Sequence, residues 1–198
     1  MTHDRSEQIQ RRTGLMGWFD RVRYREIYRQ AFGLLLVAAC AWAAEPGTQR
    51  ATLGLGLVLI GQVFRIFAAG TIFKNRELAT QGAYSLVRHP LYLGNLLILG
   101  GFSWASGNWW VAATVALFFL IWYPAAIRYE DGKLERLFGD AWRTWSRDIP
   151  AVLPVRLNWS PMTDTSWSAH QSLFRNGELY ITVYLAGCAA WLWVNAAH

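Results

Sequence analysis

Apolar stretches recur along the chain at roughly residues 28–44, 51–73, 91–106, 109–127 and 178–197, separated by polar, mostly basic segments. A helix needs about 20 residues to cross the hydrocarbon core of a bilayer. The second, fourth and fifth stretches meet that length; the first is shorter, and the third is interrupted by Gly94, Gly100 and Gly101. Ser106-Gly107-Asn108 is a turn signal between the third and fourth, and predicts a tight antiparallel helical hairpin. Glu45-Pro46-Gly47 is a similar break after the first. The pattern predicts an all-α polytopic membrane bundle of about five transmembrane helices.

Beyond the fourth stretch the pattern changes. Leu134, Leu137, Phe138, Trp142 and Trp145 recur at three- and four-residue spacings, which predicts one or two amphipathic helices over Arg128 to Trp145, interrupted at Gly139 and ended by Pro150 and Pro154. The chain therefore divides into a basic N-terminal segment (1–27), a membrane core (28–154), an interfacial connector (155–177) and a C-terminal transmembrane helix (178–198).

Charge orients this arrangement. Arg5, Arg11, Arg12, Arg21, Arg23, Arg25 and Arg29 stand at or before the first stretch; Lys74, Arg76 and Arg88 follow the second; a third basic group runs from Arg128 to Arg175. The intervening turns carry only Arg50. The excess of Lys and Arg on cytoplasmic loops then puts the N-terminus in the cytoplasm and the C-terminus outside. The net charge of +6 does not point to nucleic acid, because the basic residues flank apolar stretches and form no continuous polar face. The 12 tryptophans suit a protein with two membrane–water interfaces. The basic N-terminal segment lacks the short apolar region of a cleaved signal peptide. Cys40 and Cys188 both fall within apolar stretches and read as small packing residues.

Two polar clusters adjoin the hairpin on its cytoplasmic side. In the first, Arg88-His89-Pro90 precedes the third stretch. Pro suits a first helical turn, whose free N–H groups and partial positive charge attract anions. Tyr84 and Tyr92 offer flat faces to a purine or a sulfonium. The alternative reading is interfacial anchoring. In the second cluster, Glu130-Asp131 could receive an amino group or a ribose hydroxyl, or be an acidic bias on a solvated helix. Gln62 and Arg65 lie within the second stretch, where polar groups mark either function or a snorkelling anchor. No zinc-like His/Cys spacing, phosphate-binding glycine loop or nucleophile elbow occurs.

Taken together, Gly82-x-Tyr84-x-x-x-Arg88-His89-Pro90-x-Tyr92-x-Gly94, then Glu130-Asp131-x-x-Leu134-x-x-x-Phe138-Gly139-x-x-Trp142-x-x-Trp145, then Ile149-Pro150 and Pro154, resemble the isoprenylcysteine carboxyl methyltransferase and phospholipid methyltransferase superfamily. The resemblance covers roughly residues 75–155. It implies an integral membrane enzyme using S-adenosylmethionine, with a cofactor pocket on the cytoplasmic side. It implies cofactor contacts from Leu78, Ala79, Tyr84, His89, Pro90, Leu91, Tyr92 and Glu130. It implies catalytic roles for His89 and for an arginine near the acidic residue, here Arg128. The family usually has paired glutamates and Tyr-x-x-Tyr after Phe-Gly, where this chain has Glu-Asp and Trp-x-x-Trp.

Membrane sterol reductases, which bind NADPH, share the Arg-His-Pro-x-Tyr-x-Gly pattern, and a non-catalytic lipid-binding protein of the same fold is a third reading. The expected partners are the bilayer and a lipophilic small-molecule substrate, with no nucleic acid and no obligate protein partner. Apart from His89, Glu130 and Asp131 no general base stands out, which favours a carboxylate or thiolate acceptor over an amine, with small thiols, isoprenoid acids and phospholipid amines all left open.

Overall fold

The computed structural model describes residues 26–45, 47–72, 77–155 and 166–198. Among these, the regular structure is entirely helical. The long helices are α1 (Glu26–Trp42), α2 (Thr48–Thr71), α3 (Pro90–Ser106), α4 (Trp109–Ser146) and α5 (Glu178–Ala197). A 3-10 turn, Gly82–Ser85, precedes α3, and a π-helical turn, Gln171–Arg175, precedes α5. By length and composition α2, α4 and α5 can each cross a bilayer, and α1 is a shorter apolar helix. The helices coincide with the apolar stretches read from the sequence. α3, at 17 residues, falls about one turn short of a full crossing.

The amphipathic segment after the fourth stretch is not a separate element. It continues α4 without a loop, giving a helix of 38 residues. The unbroken part before Gly139, at 1.5 Å per residue, is already about 45 Å long, against a hydrocarbon core of about 30 Å. The part beyond residue 127 therefore projects past the apolar stretch. Gly139, at φ 54° and ψ −124°, breaks the helical geometry within that projection. The positive φ suits glycine, which has no Cβ to clash there.

The α2–α3 crossing is the most extensive helix contact among the described residues, and two reciprocal glycine pairs permit it. A Cβ on Gly54 would lie 2.5 Å from the Gly101 carbonyl oxygen, and one on Gly101 would lie 2.6 Å from that of Gly54. The same relation holds for Gly61 and Gly94, at 3.0 and 3.1 Å. In each helix the two glycines are seven residues apart, about two turns, so they form one bare face. The glycines that shorten the apolar run of α3 in sequence thus serve close backbone approach, as small residues do between membrane helices.

The α3–α4 hairpin turns at Gly107, in the left-handed region (φ 70°), and Asn108 caps α4 by accepting from the Trp110 and Val111 N–H groups at 3.1 and 3.3 Å. α5 closes the bundle against α1, where the Tyr184 hydroxyl donates to the Leu34 carbonyl at 2.7 Å and the Asn195 amide to that of Ala41 at 3.0 Å. Cys40 is buried there without a disulfide, and Cys188 is also free.

Residues 166–177, the described part of the connector, close the C-terminal end of α2. Helix ends leave carbonyls without intrahelical donors. Asn176 donates to the Ala69 carbonyl at 2.7 Å, the Ser168 N–H to that of Gly70 at 3.1 Å, and Gln171 to that of Ile72 at 3.1 Å, while Ser172 adds a side-chain donor to the Ile66 carbonyl at 2.7 Å. The connector is thereby built into the bundle, and sets where α5 begins.

Candidate active site at one end of the bundle

His89 is the N-cap of α3 and Pro90 opens the helix. The N–H groups of Arg88 and His89, which no helix could satisfy, donate to the carbonyls of Pro150 and Ala151 at 2.8 and 2.9 Å. The chain after α4 thus returns to hold the start of α3. That exchange fixes the two sequence clusters against each other, since α3 and α4 are already joined at their far ends.

The clusters meet side chain to side chain. The Tyr92 hydroxyl donates to Glu130 Oε1 at 2.5 Å. His89 Nε2 lies 2.9 Å from Asp131 Oδ1, and its Nδ1 lies 3.4 Å from Glu130 Oε2. Arg88 pairs with Asp131 at 3.1 Å and donates to the Ser146 carbonyl at 3.1 Å. The His89 and Tyr92 rings stack at 5.3 Å, and Tyr123 meets Tyr92 edge-on at 5.1 Å.

The electrostatics follow from this geometry. Burial opposes a charge on His89, but its hydrogen bonds to Asp131 and Glu130 outweigh burial and hold the imidazole pKa above 6.5. Burial also works against the Glu130 carboxylate, and hydrogen bonds from His89 and Tyr92 overcome it, so its pKa falls below the ordinary value. Burial pushes the Tyr84 phenol up, and the nearby Glu130 charge adds to this.

One cavity of about 530 Å³ opens beside this cluster, a size typical of small-molecule sites. Leu78, Ala79, Tyr84, His89, Pro90, Leu91, Tyr92 and Glu130 all line it. It is polar at the His89–Glu130 end, and apolar where Leu34, Val37, Leu99 and Phe118 form its walls. The basic residues Lys74 and Arg76, upstream of Leu78 and Ala79, lie outside the described residues.

Arg128 is not brought to this cavity. It is exposed on α4, and Glu130, two residues later, points to the other side of the helix and lines the cavity instead. Two positions at 3.6 residues per turn are separated by about 200°, so both cannot face one pocket. The arginine found at the cluster is Arg29 of α1, with Nη2 3.7 Å from Glu130 Oε1 and its guanidinium carbon 4.7 Å from the Tyr92 ring centre.

Other participants carried weaker signals in the sequence. Asp131 grips both Arg88 and His89 from outside the cavity; adjacent Arg-His and Glu-Asp pairs are complementary, but no spacing rule joins residues so far apart. Arg65 and Glu178 form a buried ion pair beside the cavity. Arg65 also donates to Asn95, and Gln62 to Glu178 and Thr182, at 3.2 and 2.8 Å. Both polar residues of the second stretch therefore have structural partners on α3 and α5. Among the described residues no three or more His, Cys, Asp or Glu side chains gather as metal ligands.

A family model described as phospholipid methyltransferase matches residues 28–141. Among curated proteins, the chain is 37% identical to a cobalt-zinc-cadmium resistance protein of Cupriavidus metallidurans, over 62% of this chain and 55% of that protein. It is 36% identical to a nickel-cobalt-cadmium resistance protein of Alcaligenes xylosoxydans, over 52% of this chain and 47% of the other. A protein-S-isoprenylcysteine O-methyltransferase of Schizosaccharomyces pombe is 29% identical over 50% of this chain and 42% of its own length. The chain thus spans about half the length of these relatives. No solved structure matches. The matched region contains α3, most of α4 and every residue of the Tyr92–Glu130–His89–Asp131 cluster, and the chain belongs to the phospholipid methyltransferase family, whose relatives include the isoprenylcysteine O-methyltransferases.

Proposed function

We propose that the protein is an integral membrane methyltransferase that uses S-adenosylmethionine and methylates a lipophilic acceptor, a carboxylate or a thiol. The carrying observation is the convergence of two distant sequence segments on one cavity, joined by the Tyr92–Glu130 hydrogen bond at 2.5 Å. Family membership supports the reaction class.

The residues present fit such a cofactor. Glu130 supplies a carboxylate for a cationic amino group, and Tyr84 and Tyr92 supply aromatic faces at the same end. Trp145 lines the cavity with a buried indole N–H that has no acceptor among the described residues, a donor available to a ligand. Leu78, Ala79, Pro90 and Leu91 add apolar wall. When bound, the cofactor supplies an electrophilic methyl group on a sulfonium.

The protein's own part is to bind, orient and exclude water. Tyr92, His89 and Asp131 hold Glu130 and the start of α3 in one arrangement. Both His89 ring nitrogens face carboxylates, so the ring organises charge and has no lone pair free to accept a proton from an acceptor. An acceptor already ionised at neutral pH needs no such base. The apolar end of the cavity suits an acceptor with a hydrocarbon body. The five-span topology, with the N-terminus and this site on the cytoplasmic side, belongs to the same proposal and lets a water-soluble cofactor and a membrane-borne acceptor approach from different phases.

Calorimetry of the detergent-purified protein with S-adenosylhomocysteine tests the reading. Binding in the micromolar range is expected. Binding of NADPH with no response to the S-adenosyl compound would establish the reductase alternative instead.

A further inference from the structure

We infer that Arg29, on the first helix and outside the shared sequence motifs, is the specificity residue that receives the anionic head of the amphiphilic acceptor. This rests on the methyl-transfer reading and deepens it.

The Arg29 side chain is only 12% exposed, so its charge is largely withdrawn from water. Among the described residues, its guanidinium takes up no hydrogen bond. Its nearest carboxylate oxygen is 3.7 Å away, beyond hydrogen-bond distance, and its other neighbour is the face of Tyr92. A guanidinium carries five N–H donors in a planar fork matched to carboxylate or phosphate. A guanidinium that lines the cavity, beside Glu130 but beyond hydrogen-bond distance of it, can receive an anion from that cavity.

The wall next to it indicates what that anion is attached to. Gly33 and Val37 follow Arg29 at four and eight residues, on the same face of α1, and both line the cavity. That stripe runs about 12 Å along the helix. Leu99 and Phe118 line the apolar end of the same cavity. An anionic head at Arg29 would therefore have its hydrocarbon body directed into apolar surroundings. Arg29 also stands against Glu130, whose negative charge would otherwise repel an anionic acceptor. The same arginine would repel a protonated amine, so it selects anions over amines.

The test uses the full-length protein in nanodiscs of zwitterionic lipid, saturated with S-adenosylhomocysteine. The probes are a fluorescent 16-carbon carboxylate and the uncharged amide of the same tail. Comparing variants in identical discs cancels the partitioning of each probe into lipid. The wild type should prefer the carboxylate about tenfold or more. Arg29→Ala should abolish that preference and Arg29→Lys should retain part of it, with the loss of carboxylate affinity well exceeding any change in S-adenosylhomocysteine affinity. The proposal is overturned if Arg29→Ala keeps the preference, if Arg128→Ala removes it instead, or if the wild type has none. Parallel losses of cofactor and carboxylate affinity in Arg29→Ala would also overturn it, since Arg29 would then only neutralise Glu130. A charge preference that depends on Arg29 in a protein that binds no S-adenosyl compound would leave the anion site standing and remove the methyl-transfer reading.

Discussion

Arg65 Nη2 lies 2.6 Å from Glu178 Oε1, and Nε of the same guanidinium reaches Oε2 at 3.2 Å, so a forked ion pair joins the second helix to the last. The side chains are only 10% and 2% exposed. Removing one partner of a buried pair strands a charge and typically costs about 3–5 kcal/mol, whereas replacing both with apolar groups of similar volume is often tolerated. Arg65→Ala and Glu178→Ala should each lower the thermal midpoint in detergent markedly. The double variant Arg65→Met/Glu178→Leu should recover most of the loss. Equal midpoints for wild type and both single variants would mean the pair does not hold α5 in place.

The glycine pairs make a sharper packing prediction. At Gly101 a new Cβ meets the Gly54 carbonyl oxygen at 2.6 Å, while at Gly100 it meets nothing within 4 Å. Gly101→Ala should therefore separate α2 from α3 and destabilise by about 1–3 kcal/mol, the usual cost of overpacking. Gly100→Ala should be neutral or mildly stabilising, because alanine favours the helix more than glycine does. Similar melting curves for the two variants would contradict the close crossing.

These two results mark what could be read in advance. Helix positions followed from runs of apolar residues, and the Ser106–Asn108 turn from its composition, because both are local properties. The residues that meet at the cavity were legible because Tyr84, His89, Tyr92 and Glu130 sit in two short motifs. Arg128 does not line the cavity, because nearness in sequence to Glu130 does not survive a helical rotation of about 200°. Arg29 was absorbed into a run of arginines at the first helix and carried no motif. The pairing of Glu178 with Arg65, more than a hundred positions earlier, has no local trace in the sequence.

Glu130 and Tyr92 provide the test of the binding site. A charge-assisted hydrogen bond is worth about 1.5–3 kcal/mol, so Glu130→Ala should weaken S-adenosylhomocysteine binding roughly ten- to hundredfold. Tyr92→Phe keeps the ring and removes only the hydroxyl that holds Glu130, and should produce a smaller loss. Cys40→Ala should bind like the wild type, because Cys40 is buried between helices and does not line the cavity. Undiminished affinity in a folded Glu130→Ala protein would put the cofactor on other residues.

The last expectation concerns pH. His89 lies between Glu130 and Asp131, which are themselves approached by Arg29 and Arg88. Its pKa is raised on folding, so between the unfolded value near 6.5 and the folded value the native state binds the extra proton. Stability then falls as pH rises through that window, and the contribution is complete only below the unfolded value. Glu130 has the opposite sign: its lowered pKa adds stability above the ordinary carboxylate value, and this is lost as pH falls through the folded one. The cluster should therefore be most secure on the acid side of neutrality, above the range where Glu130 is protonated and below the range where His89 loses its proton. The measurement is the thermal midpoint from pH 5.5 to 9 for wild type and His89→Gln. The wild type should lose its advantage over the variant as pH climbs above 6.5. A constant difference across that range would mean that His89 is neutral in the native protein, and that Glu130 and Asp131 are held by Tyr92 and the arginines alone.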